Sequence, residues 1–242
     1  MPVMLAFAAT AADQRTVTTA SCAVASVLGL QVEARRLGAD RDAAVADAVV
    51  QGILDDVASA DVALIALPYS PGHAAHLVTD VIQRCPRPVL VVPVLKRPLE
   101  TIEVDRVLVP LNGTALSADT VAEAVDMFCA HGIDVVVLHV FDESTVPKFW
   151  DQAEHARKSW AEEFLARFCD RPNARLELRS GAPGANIVDV AVAEHADLIA
   201  LGWAQNLSPG HARAIRAALA NSAIPVLLLP QSQADDEAAV RP

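Results

Sequence analysis

Two stretches of the chain follow one pattern: an aspartate, an apolar strand, the pentapeptide Ser-Pro-Gly-His-Ala, and a closing Pro-Val-Leu strand. The first is Asp61–Pro93, DVALIALPYSPGHAAHLVTDVIQRCPRPVLVVP, and the second is Asp197–Pro230, DLIALGWAQNLSPGHARAIRAALANSAIPVLLLP. Self-similarity of this kind sets the architecture before any single residue is weighed. The remaining segments are read as serving these two strand–loop–helix–strand units.

Taken in order, Val3–Ala9 reads as a short buried strand, and Asp13–Leu28 as a helix with Thr10 or Asp13 as its N-cap. Leu30–Leu37 alternates apolar and charged residues, as at a sheet edge. Asp40–Ser59 is amphipathic, with Val45, Val49, Ile53 and Val57 at four-residue steps. The first repeated unit then gives strand Val62–Leu67, a helix from Ser70 to about Cys85, and strand Val89–Val92. The charged, proline-containing stretch 94–105 reads as a linker of limited flexibility. A second half restarts with strand Arg106–Leu111, the turn Asn112-Gly113-Thr114, and a helix capped by Ser117 that ends at Gly132. Strand Asp134–Val140 follows, then a helix over Lys148–Cys169 with Phe149, Ala153, Ala156, Trp160, Phe164 and Phe168 on one core-facing stripe. An edge-like strand Arg175–Arg179, the turn 181–184 and a helix Asn186–His195 lead into the second repeated unit. The polar, acidic tail 231–242 has the composition of a disordered segment.

Each half therefore alternates strand and helix, the pattern of a parallel sheet with right-handed crossovers. Half two has five strands. Half one has four, because it passes from Asp40–Ser59 straight into its penultimate strand. The predicted division is 1–94, a linker 95–105, 106–230, and the tail 231–242.

Composition narrows the function. The chain has 242 residues, 53% hydrophobic, with a mean hydropathy of +0.32. That apolarity follows from abundant alanine and from uninterrupted apolar strands, as expected where a parallel sheet is covered on both faces. No apolar run approaches the roughly 18 residues of a spanning helix. The N-terminus MPVMLAFAAT lacks a basic region and reads as a strand rather than a signal peptide. Cys22, Cys85, Cys129 and Cys169 are scattered, with no Cys-x-x-Cys, and are expected to be buried reduced thiols of a cytoplasmic protein. A formal charge of −11 and the lack of any basic patch argue against nucleic acid as a direct partner.

The order of segments in the second half resembles the universal stress protein family. RVLVPLNGTALSADTVAEAV resembles the family's first strand, turn and helix, and VVVLHVFDE its second strand. SGAPGANIVDVAVAEHADLIALG is similar to the segment in which a Gly-x-Pro turn leads through a helix to the fourth strand, and IPVLLLP to the last strand. The first half is similar over Asp61–Pro93 and more loosely over Val3–Leu37. The resemblance implies two adenine-nucleotide-alpha-hydrolase-like open parallel sheets of strand order 3-2-1-4-5, the first lacking one strand–helix unit. It also implies pairing through the final strand of each. The residues support this independently: Val89–Val92 and Val226–Leu229 are wholly apolar, and pairing them removes two exposed apolar edges at once.

A parallel α/β sheet binds ligands at the carboxyl ends of its strands, near the point where strand order reverses. Here that rim is made by the Asn112-Gly113-Thr114 turn and the loop 202–208. In ATP-binding members of the family, the fourth strand leads into Gly-x-x-Gly, then nine residues, then Gly followed by Ser or Thr. Glycines let backbone N–H groups approach phosphates, and the hydroxyl and helix N-terminus add donors. This chain keeps Gly202, has Gln205 at the second glycine, and places Ala212-Arg213 or Ile215-Arg216 at the Gly-Ser/Thr pair. The loop is thus about three residues shorter. The adenine-contacting aspartate is Asn112, and in the first copy Pro68 replaces the leading glycine. The candidate nucleotide or anion site comprises Asn112, Gly113, Val140, Gly202, Gln205, Ser208, Gly210 and Arg213.

The repeated pentapeptide suits a helix start, with Ser70 and Ser208 as N-caps and Pro71 and Pro209 in the first turn. The rival reading makes each helix N-terminus an anion site, with His73 or His211 as a further donor and Arg213 and Arg216 near the ligand. No Gly-x-Gly-x-x-Gly or Gly-x-Ser-x-Gly follows a strand, which leaves dehydrogenase and serine hydrolase chemistry unsupported. His73 and His76 lack the glutamate of a metalloprotease pair, and no metal is expected. His139 and His195 read as satisfied structural histidines. The expected function is a cytoplasmic, non-catalytic stress-response regulator or adaptor with a degenerate nucleotide site and no required cofactor. It would act through protein partners as a pseudo-twofold monomer or homodimer, with a small anionic ligand at the rim as a modulator. Two alternatives stand beside it: an ATP- or AMP-binding member with slow hydrolysis, and a structural protein without a ligand.

Overall fold

The structure, a computed structural model, describes residues 1–37, 43–59, 61–70, 75–94, 103–141, 154–206 and 212–231. Its elements run β1 (Val3–Ala8), α1 (Ala11–Leu28), β2 (Gln31–Arg36), α2 (Ala43–Val57), β3 (Val62–Tyr69), α3 (Ala75–Arg84), β4 (Val89–Pro93) and β5 (Arg106–Pro110). The chain continues through α4 (Ala115–Ala130), β6 (Asp134–Phe141), α5 (Glu154–Phe168), β7 (Ala174–Ser180), α6 (Pro183–Ala193), β8 (Leu198–Trp203), α7 (Arg213–Asn221) and β9 (Val226–Pro230).

All nine strands join one sheet in the order β2-β1-β3-β4-β9-β8-β5-β6-β7. Every neighbouring pair is parallel except β4 with β9, where Val89, Leu90 and Val91 face Leu228, Leu227 and Val226 antiparallel. The two expected sheets are therefore two parallel strips of a single sheet, fused where their last strands meet. Both seam strands are covered on each face, and all five residues of β4 are buried. That is why they carry uninterrupted apolar sequence rather than alternation.

The registers expose the internal symmetry. Ile65 pairs with Val89 as Ile199 pairs with Val226, so Pro68 occupies the place of Gly202, and Tyr69 that of Trp203. The flanking bonds repeat as well: Val94 N–H donates to Tyr69 O at 2.8 Å, and Gln231 N–H to Trp203 O at 2.9 Å. Proline is tolerated at position 68 because the ladder with β1 ends at Ala66, leaving no neighbour on that side to miss its N–H.

Helices lie on both faces. Val50, Ile53, Val78, Ile82, Ile187, Val190, Ile215 and Leu219 bring α2, α3, α6 and α7 onto one core. Val17, Val24, Val121, Val125, Phe128 and Phe164 bring α1, α4 and α5 onto the other. Half one lacks a counterpart of the α5–β7 unit, so β2 forms one end of the sheet while its equivalent β6 is paired on both sides. The ends carry charge, with an Arg35–Glu33 pair at 2.7 Å on β2 and an Arg179–Glu177 pair at 2.8 Å on β7. Such charges blunt a sheet edge.

Three local expectations are corrected. The cap of α4 is Thr114, not Ser117: Thr114 is extended, and its hydroxyl accepts from Ser117 N–H at 3.2 Å, which places Ser117 inside the first turn. The helix expected over Asn186–His195 starts at Pro183 and ends at Ala193. His195 is exposed and lies beyond it at φ 52°, its N–H donating to Val192 O and the next N–H, of Ala196, to Ala191 O. That is a Schellman-type ending with histidine in the left-handed position. The cap position of α7 is Ala212, at φ 50°, and Ser208, the expected cap, lies outside the described residues. The thiols are free but not all buried: Cys22 is exposed and Cys129 half-buried. Most of the linker, the tail beyond Gln231, Phe149, Ala153, Pro71–Ala74 and 207–211 lie outside the described residues.

Gly184 is required by packing, since a Cβ there would lie 2.4 Å from Ala217 Cβ on α7. The seam is the fold's most demanding contact. Leu227→Ala, at a fully buried β9 position opposite Leu90, is expected to lower unfolding stability by about 2–5 kcal/mol in urea denaturation.

Candidate functional site

In the second half the strand order reverses between β5 and β8. Their ladder holds only Val107 with Leu198 and Leu108 with Ile199, so the two strands part beyond it toward their carboxyl ends. The rim of this crevice is built from the turn after β5, the end of β8 and the first turns of α4.

The turn is tightly specified. Gly113 adopts φ 80°, in the left-handed region, and the Asn112 side-chain oxygen accepts from Thr114 N–H at 3.0 Å and from Thr114 Oγ1 at 2.7 Å. A Cβ on Gly113 would stand 3.2 Å from His139 Cε1 and 3.5 Å from Phe164 Cε2, so two rings pack directly against the turn. His139 Nδ1 lies 2.9 Å from Leu111 O, which makes Nδ1–H the donor and fixes the ring. His139 also packs edge-on to Phe141, with centroids 4.6 Å apart, and against Trp160 and Phe164 at 5.5 and 4.9 Å. Burial pushes the His139 pKa below its ordinary value, and the bond to Leu111 offsets part of that. Val140, the β6 residue expected at the site, turns into the opposite core layer. The β6 side chain that reaches the turn is its neighbour His139.

On the other wall, Gly202 is a close-packing glycine. A Cβ there would lie 2.9 Å from Thr120 Cγ2 and 3.1 Å from Thr120 Cβ, with Val121 at 3.4 Å. Helix α4 thus occupies the space that the missing side chain leaves.

Gln205 has a left-handed backbone, φ 52°, the conformation a glycine would adopt without strain. Its side chain crosses to the first half: Nε2 donates to Cys85 O at 2.5 Å and approaches Ile82 O at 3.4 Å. Those carbonyls belong to the last turn of α3, where intrahelical donors run out. Gln205 therefore caps a helix of the other half. Arg213, the first residue of α7, is exposed, while its backbone carbonyl faces Gly184 across the α6–α7 contact. Ser208 and Gly210 lie outside the described residues.

The structure thus brings Asn112, Gly113 and Gly202 around the start of α4, turns Val140 away, and commits Gln205 to the seam. The residues that sequence reading did not assign to the site are Thr120, Val121, His139 and the α3 carbonyls, none of which carried a local signal. Among the described residues no group of three or more His, Cys, Asp or Glu side chains could hold a metal ion, and no helix is long and apolar enough to cross a membrane.

Two outcomes follow from these contacts. Gln205→Ala keeps the left-handed backbone and orphans the α3 carbonyls, so it is expected to destabilise by about 1–3 kcal/mol. Gln205→Gly removes the backbone strain too and is expected to be roughly 1 kcal/mol milder; urea midpoints of the two variants measure the difference. For His139, the unfolded chain binds a proton more readily than the folded one. Its contribution is fully present above the ordinary histidine pKa of 6.5 and is lost as pH falls through the lower folded value. Between pH 7 and 5 the wild type is expected to lose stability with a slope of up to about 1.4 kcal/mol per pH unit from this group, and His139→Phe to flatten it.

Comparison with known proteins agrees with this architecture. The chain is similar to the crystal structure of a universal stress protein from Archaeoglobus fulgidus DSM 4304, with TM-score 0.63 and 14% identity over 96% of this chain and 97% of that one. It is also similar to a putative universal stress protein from Pseudomonas aeruginosa UCBPP-PA14, with TM-score 0.57 and 14% identity over 95% of this chain and 82% of that one. A functionally unknown protein from Pseudomonas aeruginosa PAO1 matches with TM-score 0.57 and 15% identity, over 98% and 84% of the two chains. No curated protein sequence matches the chain. The sequence pattern of the universal stress protein family matches residues 103–230, more than half of the chain, from just before β5 to the end of β9. The chain belongs to the universal stress protein family.

Proposed function

We propose that this chain is a non-catalytic regulatory or adaptor member of the universal stress protein family, acting in the cytoplasm through protein partners, with its nucleotide loop given over to structure. In this reading residues 1–94 are a truncated copy, 106–230 a complete one, 95–105 their linker and 231–242 a disordered tail. The observation that carries the proposal is Gln205. At the place where a nucleotide-binding loop needs a glycine, the backbone keeps the left-handed turn, yet the side chain is bonded to Cys85 O at 2.5 Å. A loop anchored to the other half by that bond is not free to fold around a phosphate.

Two neighbouring features support the same reading. Thr120 and Val121 fill the space beside Gly202, and the Asn112 oxygen is spent on Thr114 instead of reaching outward as a carboxylate would.

The test uses purified full-length protein. Acid extraction followed by mass spectrometry is expected to recover no stoichiometric adenine nucleotide, and millimolar ATP or AMP is expected to leave the thermal midpoint unchanged. A ligand at 100 times its dissociation constant would add about 2.7 kcal/mol of stability, well within reach of the measurement. Co-purified nucleotide or a clear shift would overturn the proposal in favour of an ATP- or AMP-binding member.

A further inference from the structure

Two cysteines outside the crevice share one surface of the complete half. Cys169 follows directly on α5 and is buried; Cys129 sits in the last turn of α4 and is half-buried. Both pack into the same apolar cluster, with Val125, Phe128 and Phe164. Ala118, Ala122 and Val125 of α4 line a groove of about 260 Å³, whose far wall is Phe168 and Cys169. Cys129 is four residues beyond Val125 and so continues that stripe of α4 by one turn. An ion pair fixes the two segments at this level: Asp126, three residues before Cys129, bonds to Arg171, two residues after Cys169. The Asp126 carboxyl is held below the ordinary carboxylate range by that guanidinium, so the tie persists across neutral pH.

We propose that Cys129 and Cys169 form a reversible dithiol–disulfide site, oxidised by a hydroperoxide, that cross-links α4 to the end of α5. In the first step the half-exposed Cys129 sulfur attacks one peroxide oxygen. The S–O bond forms, the O–O bond breaks, and the second oxygen leaves as water (or as the alcohol, from an organic hydroperoxide) with the thiol proton. In the second step the Cys169 sulfur attacks the Cys129 sulfenic acid. The S–S bond forms, the S–O bond breaks, and the hydroxyl leaves as water with the Cys169 proton. The sulfur pair loses two electrons and the peroxide gains them.

Burial raises both thiols, Cys169 to about 11, with repulsion from a Cys129 thiolate adding to it. The first step is therefore slow, and the site responds to sustained rather than brief exposure. Once Cys129 carries a neutral sulfenic acid, that repulsion is gone, and the second step is intramolecular. Cys22, exposed on α1, serves as a reference thiol within the same chain.

The experiment treats the full-length chain with excess hydrogen peroxide for several hours, alkylates remaining thiols under denaturing conditions, and maps digests by mass spectrometry. Expected are the Cys129 and Cys169 peptides joined, lighter than their sum by two hydrogens (about 2 Da), and separated again by dithiothreitol. A Cys22→Ser/Cys85→Ser variant is expected to behave identically, while Cys129→Ser leaves Cys169 fully alkylatable. The proposal fails if Cys129 proceeds to sulfinic or sulfonic acid while Cys169 stays alkylatable. It also fails if the only disulfide formed joins two chains through Cys22. The wild-type digest decides the question even if a variant does not fold.

Discussion

An apolar strand buried on both faces still leaves one edge of N–H and C=O groups unpaired. In a parallel strip whose last strand reads Val-Leu-Val-Val or Val-Leu-Leu-Leu, that edge is the point at which the strip is incomplete. Joining β4 to β9 removes both edges with a single antiparallel ladder, centred on Leu90 and Leu227. The ladder also dictates the rest of the arrangement. It makes the two strips rotationally equivalent, puts α3 and α7 on the same face of the sheet, and brings each half's strand-end loops toward the other half's last helix.

Gln205 is the consequence of that geometry at one residue. The end of α3 presents carbonyls with no intrahelical donors, and the loop leaving β8 passes beside them. A side-chain amide there satisfies the helix end, whereas a glycine could not. The left-handed backbone at Gln205 disfavours any non-glycine residue, and the bond across the seam is the compensating gain. The same position thus answers to two demands that a single residue does not meet together: close backbone approach to an anion, or a donor for the neighbouring half.

Much of the fold was legible in the sequence because it rests on local pattern. The apolar runs of β3, β4, β8 and β9, the charged alternation of β2 and β7, and the strand missing from half one all follow from period and order. Helix ends were read less well, because capping depends on which hydroxyl reaches which N–H. Thr114 and Ser117 both suit a cap by type, and only the extended backbone at Thr114 decides between them. The site was the least legible part. Side chains alternate across a strand, so a one-residue difference at the end of β6 exchanges Val140 for His139 at the turn. The partners of Gly202 and Gln205 lie about 80 to 120 residues away in sequence, on α4 and α3, and no local pattern announces them.

Under the proposed reading the two copies depart from a phosphate loop in different ways, and both departures fit the seam. In the second copy the Gln205 side chain bonds across the seam to Cys85 O at the end of α3. In the first copy, the register places Pro68 where Gly202 stands, so the leading donor is absent altogether. Proline could settle there only because β1 stops pairing at Ala66, a consequence of strand length rather than of any ligand. Gly202 itself is retained for a reason independent of phosphate, since Thr120 leaves no room for a Cβ. A glycine at this position therefore argues for a close helix–strand contact before it argues for a nucleotide. In the proposed reading the feature that separates the two roles is the residue three positions later, where Gln205 bonds to Cys85 O and a glycine would have no side chain to do so.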